Sequence, residues 1–360
     1  MKILLVSALT TSGPMQGERL RLENLLRGCQ SQGTVEVWNP LKKMNPRALV
    51  KSLIRFRSPY MLRHSYSHLG RPSEFYDIVM AFQLRMAPYA IMCPGSKHIL
   101  DLTDSLGLFR YRLKTFHKGL SRRIVLWNIE ETELYWARRF TETWVSAWQD
   151  QKWLAERKIE VKLVENAVHK KSFLPPGNPR ELLFVSNLAY LPNWMGLKWF
   201  LRTVWPLLCD DGYKLHLVGA GTQSVHGTGI IAHGFVEDLP ALYFRIGISI
   251  SPVELGSGTQ NKILEALGYG RPVVTGPMAY RTLPARVQAG VGYAATPKEW
   301  LSELKALQNS DLYEKRARAG YEAVDENGGP VNHRLRQLYD EEHRPLSPRL
   351  PWSGGEHDER

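Results

Sequence analysis

The chain has 360 residues, of which 43% are hydrophobic and 10% are aromatic, and it carries a formal net charge of +12. This length exceeds one small domain and suits two domains with packed cores. The excess positive charge indicates an anionic partner, such as a nucleotide, a nucleic acid or an anionic lipid surface. Cys29, Cys93 and Cys209 are too few and too far apart for a disulfide framework or a metal site, and a reduced cytosol fits them.

The first seven residues favour a strand over a secretory signal, because their apolar run is short and polar residues follow it. No stretch approaches the ~20 apolar residues of a membrane span. We therefore expect a cytoplasmic protein, which could also sit peripherally at the inner face of the membrane.

In the first half, short strands alternate with amphipathic helices, as in a parallel sheet with crossover helices. The pattern predicts strands at 2–7, 35–38, 76–81, 98–102, 143–146 and 161–165, and helices at 17–29, 119–140 and 149–157. Residues 45–70 are basic and aromatic and predict one or two helices broken at Pro59. Residues 166–179 are rich in Pro, Gly and Asn and indicate an interdomain linker.

A second alternating series begins at Glu181. It predicts strands at 182–187, 214–218, 230–233, 247–251 and 272–275, and helices at 194–208, 238–246, 259–269, 297–308 and 311–339. The predicted organisation is a first domain at 1–168, a second at 169–320, a closing helix at 321–343 and a disordered tail at 344–360.

The most informative stretch is the loop that joins the strand at 247–251 to the next helix. Gly256 and Gly258 allow a tight turn and a close approach of the backbone to a ligand. Ser257 or Thr259 can cap the helix that follows. Such a loop presents free N–H groups and a positive dipole end to a phosphate. A purely structural connection between strand and helix is the alternative.

Two charged residues on that helix suit the same kind of ligand. Lys262 would add a positive charge near the phosphate site. Glu265 lies almost one turn further on, where a carboxylate could accept hydrogen bonds from a ribose diol.

The whole string resembles the donor-site signature of glycosyltransferase family 4, the retaining GT-B sugar transferases. The matching residues are Gly256, Ser257, Gly258, Thr259, Lys262, Ile263, Leu264, Glu265, Ala266, Leu267, Gly270, Pro272, Val273 and Val274. The broader family has two glutamates with seven residues between them; Glu265 is the second, but Ser257 stands at the first. Glu254 lies three residues too early, so either it reaches in from the loop or the site does without this acid.

The resemblance covers roughly residues 166–276 and implies the fold and the donor contacts. The implied fold is α/β, of the GT-B type, with two Rossmann-like parallel-sheet domains facing a cleft and the last helix packed back on the first domain. The implied donor-binding residues are Gly234, Phe235, Val236, Ser257, Gly258, Thr259, Gln260, Asn261, Lys262 and Glu265. We expect no metal and no cofactor, the nucleotide diphosphate sugar being a co-substrate.

The resemblance also suggests catalytic roles for Asp104 and Lys262. Asp104 is near a position that lies beside the transferred sugar in relatives, although it could instead cap a helix, or form a metal or paired-carboxylate site with Asp101. Lys262 would stabilise the departing diphosphate. Asn193 could contact the donor or cap the helix predicted from Trp194.

Several other assignments have an alternative. The loop after the first strand, with Gly13, Gly17 and Arg19, is implied to touch the donor phosphates or the acceptor, but Arg19 could be a solvated helix residue. Phe235 could contact the nucleotide base or pack in the core.

Basic and aromatic residues are interleaved in two runs, at 55–71 and 109–123. Such surfaces can dock on anionic bilayers, bind nucleic acid or form a solvated face. Because many family relatives act on lipid-linked acceptors, the resemblance favours the membrane and makes nucleic acid a poor candidate.

The function implied is a retaining hexosyltransferase of bacterial cell-surface polysaccharide or glycolipid synthesis. It would use a UDP-, GDP- or ADP-sugar and a sugar or lipid-linked acceptor. Two alternatives stay open: a sugar-nucleotide epimerase on the same fold, and a non-catalytic nucleotide- or nucleic-acid-binding protein.

Overall fold

The computed structural model describes residues 1–9, 17–42, 66–113, 120–256, 258–326 and 328–343. These ranges contain two α/β domains, each built on a six-stranded parallel sheet, and the predicted fold class is confirmed. Five predictions lie wholly or largely outside the described residues. They concern Gly13, Ser257, the helices expected within 45–70, the basic run at 55–71 and the tail at 344–360.

The first sheet has the strand order β2-β1-β3-β4-β5-β6. Its strands are β1 (Lys2–Val6), β2 (Thr34–Trp38), β3 (Tyr76–Phe82), β4 (Gly95–Thr103), β5 (Glu142–Val145) and β6 (Lys162–Leu163). Its helices are α1 (Gly17–Gln30), α2 (Ala87–Ala90), α3 (Leu106–Leu113), α4 (Leu120–Ala137) and α5 (Trp148–Ala155). Central strands such as β1 are continuous apolar runs, because helices cover both faces of the sheet.

The second sheet has the order β12-β11-β10-β7-β8-β9. Its strands are β7 (Asn178–Val185), β8 (Lys214–Val218), β9 (Ile230–Gly234), β10 (Ile246–Ser251), β11 (Val273–Thr275) and β12 (Val291–Tyr293). The helices of this half are α6 (Leu191–Thr203), α7 (Trp205–Cys209), α8 (Leu239–Arg245), α9 (Asn261–Gly268), α10 (Pro277–Thr282), α11 (Pro297–Ala306), α12 (Ser310–Ala323) and α13 (Gly329–His343). Every paired strand in both sheets runs parallel, so each sheet has one edge formed by carboxyl ends.

Two long helices of the prediction are each divided in the structure. The helix expected at 194–208 is α6 followed by α7, with Pro206 in the first turn of α7, where a missing N–H costs least. The helix expected at 311–339 is α12 followed by α13, and Gly328 between them has φ +88°, which a helix cannot contain. The strand expected at 161–165 is only the two residues of β6.

The chain passes between the domains twice, and one buried side chain on α1 bonds to both passages. The Asn24 Nδ2 donates to the carbonyl of Ala167 (2.7 Å), and its Oδ1 accepts from the N–H of Gly328 (3.1 Å). After the second passage α13 packs on α1, where Val331 and Leu335 are fully buried in the first domain's core.

Candidate active site

Residues that follow the carboxyl ends of β4 and β5 contact the loop that follows the carboxyl end of β10, so the two sheets meet at the edges where α/β proteins bind their ligands. The segment that lies between them is residues 252–260, which we call the glycine loop; it joins β10 to α9. Gly256 (φ +147°) and Gly258 (φ +68°) occupy backbone conformations that L-residues rarely adopt. Helix α9 begins at Asn261, so its free N–H groups lie at the end of this loop.

Groups of the first domain hold the glycine loop and the start of α9. The guanidinium of Arg112 donates to the carbonyl of Gly256, and the N–H of Gly258 donates to Asp150 Oδ2 (3.0 Å). The Asn261 Nδ2 donates to the carbonyl of Gly17 (3.1 Å).

Thr259 does not cap α9, contrary to one of the two predictions. Gln260 precedes the helix and makes no side-chain cap bond. The Thr259 hydroxyl donates instead to the carbonyl of Ser146 in the first domain (3.0 Å), so its hydrogen bond is used across the cleft.

Lys262 lies at the second position of α9, with its amino group enclosed although the residue as a whole is half-buried. Its Nζ donates to Ser186 Oγ (3.1 Å) and Asn193 Oδ1 (2.9 Å), and it lies 4.8 Å from the ring centre of Phe184. None of these neighbours carries a negative charge, and burial lowers the pKa of Lys262 to about 7.

Asn193 does not cap the helix, which was one of the two roles predicted for it. Helix α6 already begins at Leu191, and Asn193 is buried in its first turn. Its Nδ2 donates to the carbonyl of Asn187 (2.9 Å), which leaves its Oδ1 facing Lys262.

Glu265 is half-buried on α9, one turn into the helix. Burial raises the pKa of this carboxyl to about 7, and Lys171 opposes the rise. Tyr243 and Tyr269 lie nearby with their rings stacked 4.4 Å apart, and burial raises the pKa of the Tyr269 hydroxyl to about 12. Within the described residues, no group donates a hydrogen bond to the Glu265 carboxylate.

The end of β9 and the loop after it contain the residues predicted to contact the base. Gly234 has φ +71°, and its N–H donates to Thr222 Oγ1 (3.1 Å). Phe235 is 58% exposed, so the alternative of a core position is wrong. Val236 is half-buried beside it.

Asp104 lies against the glycine loop, whereas Asp101 does not. A Cβ atom placed on Gly258 would be 3.0 Å from the Cβ of Asp104. Asp101 is fully buried in an ion pair with Arg21, whose Nε lies 3.1 Å from Asp101 Oδ2. The alternative of a paired-carboxylate or metal site is therefore wrong, because Asp101 is committed to the core.

The capping role considered for Asp104 is also wrong. Ser105 precedes α3, and its Oγ accepts from the N–H of Leu108 (3.1 Å). Glu133 on α4 completes this cap, accepting from Ser105 Oγ (2.7 Å) and from the N–H of Leu106 (2.8 Å). Complete burial raises the pKa of Glu133 to about 8.

Asp150 is the site residue that the sequence did not indicate. It is fully buried in the first turn of α5, where an acidic residue is ordinarily read as favourable to the helix dipole. Its Oδ1 accepts from the N–H of Ser105 (2.9 Å) and its Oδ2 from Gly258. Burial and the neighbouring Asp104 raise the pKa of this carboxyl to about 7.

The other predicted site residues lie at the edges of the cleft. Gly17 begins α1 beside Asn261, and Arg19 is half-buried in the first turn of α1. Glu254 is exposed on the glycine loop.

The basic run at 109–123 is not a uniform surface in its described part. Arg112 points into the interface, donating to Gln149 Oε1 as well as to the glycine loop. Phe109 stacks on Tyr190 of the second domain with ring centres 6.0 Å apart. In the part of the chain that the structure describes, no helix has the length and apolar character needed to cross a bilayer.

Residues 179–309, which contain the glycine loop and α9, match the family model for glycosyl transferases group 1. No curated protein sequence matches the chain significantly.

Solved structures share the fold at low sequence identity. HepE from Anabaena, in complex with UDP-glucose, is 13% identical with a TM-score of 0.60, over 95% of this chain and 100% of that one. WaaG, a glycosyltransferase involved in lipopolysaccharide biosynthesis, is 14% identical with a TM-score of 0.56, over 93% and 99%. A mutant of S. aureus TarM, in complex with fondaparinux, alpha-GlcNAc-glycerol and UDP, is 12% identical with a TM-score of 0.56, over 73% and 55%. This chain spans about half the length of TarM.

The architecture is that of the GT-B glycosyltransferases. The match at 179–309 shows that the second domain is similar to the group 1 glycosyl transferases, which are enzymes.

Proposed function

We propose that this chain transfers a hexose from a nucleotide diphosphate sugar to an acceptor hydroxyl. One observation carries the proposal: an enclosed lysine, Lys262, stands beside the N-terminus of α9, and its hydrogen-bond partners among the described residues are neutral. A buried amine with such a low pKa is costly to charge unless an anion binds beside it.

The diphosphate is assigned to this end of α9. Its free N–H groups and the positive end of the helix dipole favour phosphate, and Lys262 adds a full charge once it is protonated. Charge develops on the diphosphate as the sugar departs, so donors fixed in advance at that position stabilise the transition state. Ser186 and Asn193 keep the amine in place.

The nucleoside is assigned to the neighbouring surface. The Glu265 carboxylate has acceptor capacity for a ribose diol, and the backbone of 234–236 borders the place for the base. UDP is the nucleotide we propose, because HepE and TarM were solved with UDP or UDP-glucose bound.

Transfer is proposed to occur with retention, as the resemblance to glycosyltransferase family 4 implies. The bond from the sugar C1 to the diphosphate oxygen breaks with its electron pair going to the phosphate. The acceptor oxygen bonds to C1 on the same face, and its proton passes to the departing phosphate. Asp104, against the glycine loop, would lie beside the transferred sugar.

The acceptor is proposed to be a sugar or a lipid-linked sugar, within bacterial cell-surface polysaccharide or glycolipid synthesis. The role of WaaG in lipopolysaccharide biosynthesis supports this class. The basic residues between 109 and 123 support a peripheral position on an anionic membrane.

The direct test is a thermal-shift series with UDP-glucose, GDP-glucose and ADP-glucose, followed by an assay of nucleotide release. A ligand present at a hundred times its Kd stabilises the folded protein by about 2.7 kcal/mol, and we expect the largest shift with UDP-glucose. Slow release of UDP without acceptor would support a transferase. A shift without release would support a binding protein, and conversion of UDP-glucose to another UDP-hexose would support an epimerase.

A further inference from the structure

We propose that Asp150 is a positioning residue that fixes the glycine loop in its donor-binding shape by tying it to the first domain. This role rests on the proposed function, because the loop is assigned to the donor. The position is unlike those of Lys262 and Glu265, since Asp150 belongs to the opposite domain.

The two carboxylate oxygens serve one domain each. Oδ1 accepts from the N–H of Ser105 in the first domain, at 2.9 Å, and Oδ2 accepts from the N–H of Gly258 in the second, at 3.0 Å. Asp150 is fully buried, so neither N–H can exchange this partner for bulk water without the cleft opening. A carboxylate can accept both bonds, whereas an amide would place an NH2 group against one of the two N–H donors.

The shape of the loop depends on these cross-domain contacts. Gly258 is in a left-handed conformation, with Asp104 packed against it. Arg112 holds the carbonyl of Gly256, and Ser146 accepts from the Thr259 hydroxyl. The start of α9, and Lys262 with it, is thus held in place from the first domain.

Charged groups around Asp150 influence its pKa and therefore its protonation state. Asp104 faces it from the end of β4, Arg112 from α3, and Glu133 from α4 beyond Ser105. Burial, followed by Asp104, raises the pKa of Asp150 to about 7, while the two N–H donors and Arg112 oppose the rise. Protonation turns one acceptor oxygen into a donor. The hydrogen bonds of Asp150 to Ser105 and Gly258 are therefore both present above pH 7, and they weaken as pH falls below it.

The chain offers a matched control in Glu133. This carboxyl is equally buried and also has a raised pKa, but its described hydrogen bonds go only to Ser105, Leu106 and Gly107 of the first domain. The substitutions D150N and E133Q both replace a buried carboxyl by its amide. Only D150N changes a side chain that contacts the glycine loop.

The first experiment measures amide hydrogen exchange in peptides covering 254–262, in the nucleotide-free protein at pH 8. We expect exchange at least tenfold faster in D150N and within twofold of the parent in E133Q. Equal exchange in D150N and the parent would overturn the proposal. Should D150N fail to fold, the parent alone gives the test: after correction for intrinsic rates, protection of these peptides must be lower at pH 6 than at pH 8.

The second experiment follows UDP release from UDP-glucose between pH 5.5 and 9. The parent is expected to lose activity as pH falls through about 7, while D150N has at least tenfold lower kcat and a flattened acid limb. E133Q should keep that limb. A D150N variant with the parental kcat and pH profile would show a purely structural residue. If the parent neither binds nor cleaves UDP-glucose, the proposed function fails. The exchange experiment still decides whether Asp150 holds the glycine loop.

Discussion

Lys262 should take up a proton when the donor binds. In the protein alone its pKa is about 7 instead of 10.5, because the amine is enclosed and its acceptors on Ser186 and Asn193 are neutral. A diphosphate beside the amine favours the charged form and moves the pKa back upward. The contribution of Lys262 to donor binding is therefore full below pH 7 and weakens above it, until the pKa of the bound state is reached.

The size of the effect follows from the pKa. At pH 8, one unit above it, neutral and charged Lys262 stand at ten to one, so binding should take up about 0.9 proton. Each further pH unit should weaken binding about tenfold, or about 1.4 kcal/mol. The carboxyls of Asp150 and Glu265, with pKa values of about 7, are already mostly ionised at pH 8 and can release at most about 0.1 proton each.

The assay is calorimetric titration of UDP-glucose at pH 8 in two buffers with different enthalpies of ionisation. The difference in observed enthalpy gives the number of protons taken up. Lys262→Arg is the control, because its guanidinium is always charged and should give a value near zero while still binding. Tight binding by the parent with no buffer dependence would refute the assignment of the diphosphate to Lys262.

Three further outcomes are expected. Glu265→Gln should weaken UDP binding at pH 8 tenfold or more, because a hydrogen bond to a charged acceptor contributes about 1.5–3 kcal/mol; unchanged affinity in calorimetry would remove Glu265 from the ribose site. Arg271→Met should lower the free energy of unfolding by about 3–5 kcal/mol, because this buried guanidinium donates to the carbonyls of Tyr243 and Pro175, which would be left unpaired. Urea unfolding measures this change, and a loss below 1 kcal/mol would contradict the reasoning. Replacing the basic residues at 110, 122 and 123 by Ser should abolish salt-sensitive sedimentation with anionic liposomes, to which each contributes about 1 kcal/mol; equal binding to neutral liposomes would count against membrane docking.

The alternation of strands and helices could be predicted from the sequence because the strands of parallel sheets are continuous apolar runs. Strand β8 lies where the pattern puts it, and most other predicted strands begin or end within a few residues of the observed bounds. The breaks at Val204 and at 324–328 were missed because both flanking segments keep a helical apolar pattern.

The candidate site residues of the second domain could be selected from the sequence because they are close together in the chain. Gly258, Lys262 and Glu265 belong to one strand–loop–helix unit, whose spacing carries the chemistry. Asp150 comes from a separate helix more than a hundred residues earlier, and its role depends on a contact that only the folded chain creates. The environment of Lys262 likewise depends on Ser186 and Asn193, which a linear pattern cannot bring to it.

The position of Asn24 restricts how the two domains can move. Both interdomain passages bond to this one side chain, through Ala167 and Gly328. Because both passages are bonded to Asn24, we expect an opening that preserves these bonds to hinge near this residue. The contact of Asp150 with Gly258 does not lie on the passages, and such an opening separates the two residues. The hydrogen bonds of Asn24 at the interdomain passages and the hydrogen bond from Gly258 to Asp150 are thus separate contacts. A substitution can remove one of them and leave the other.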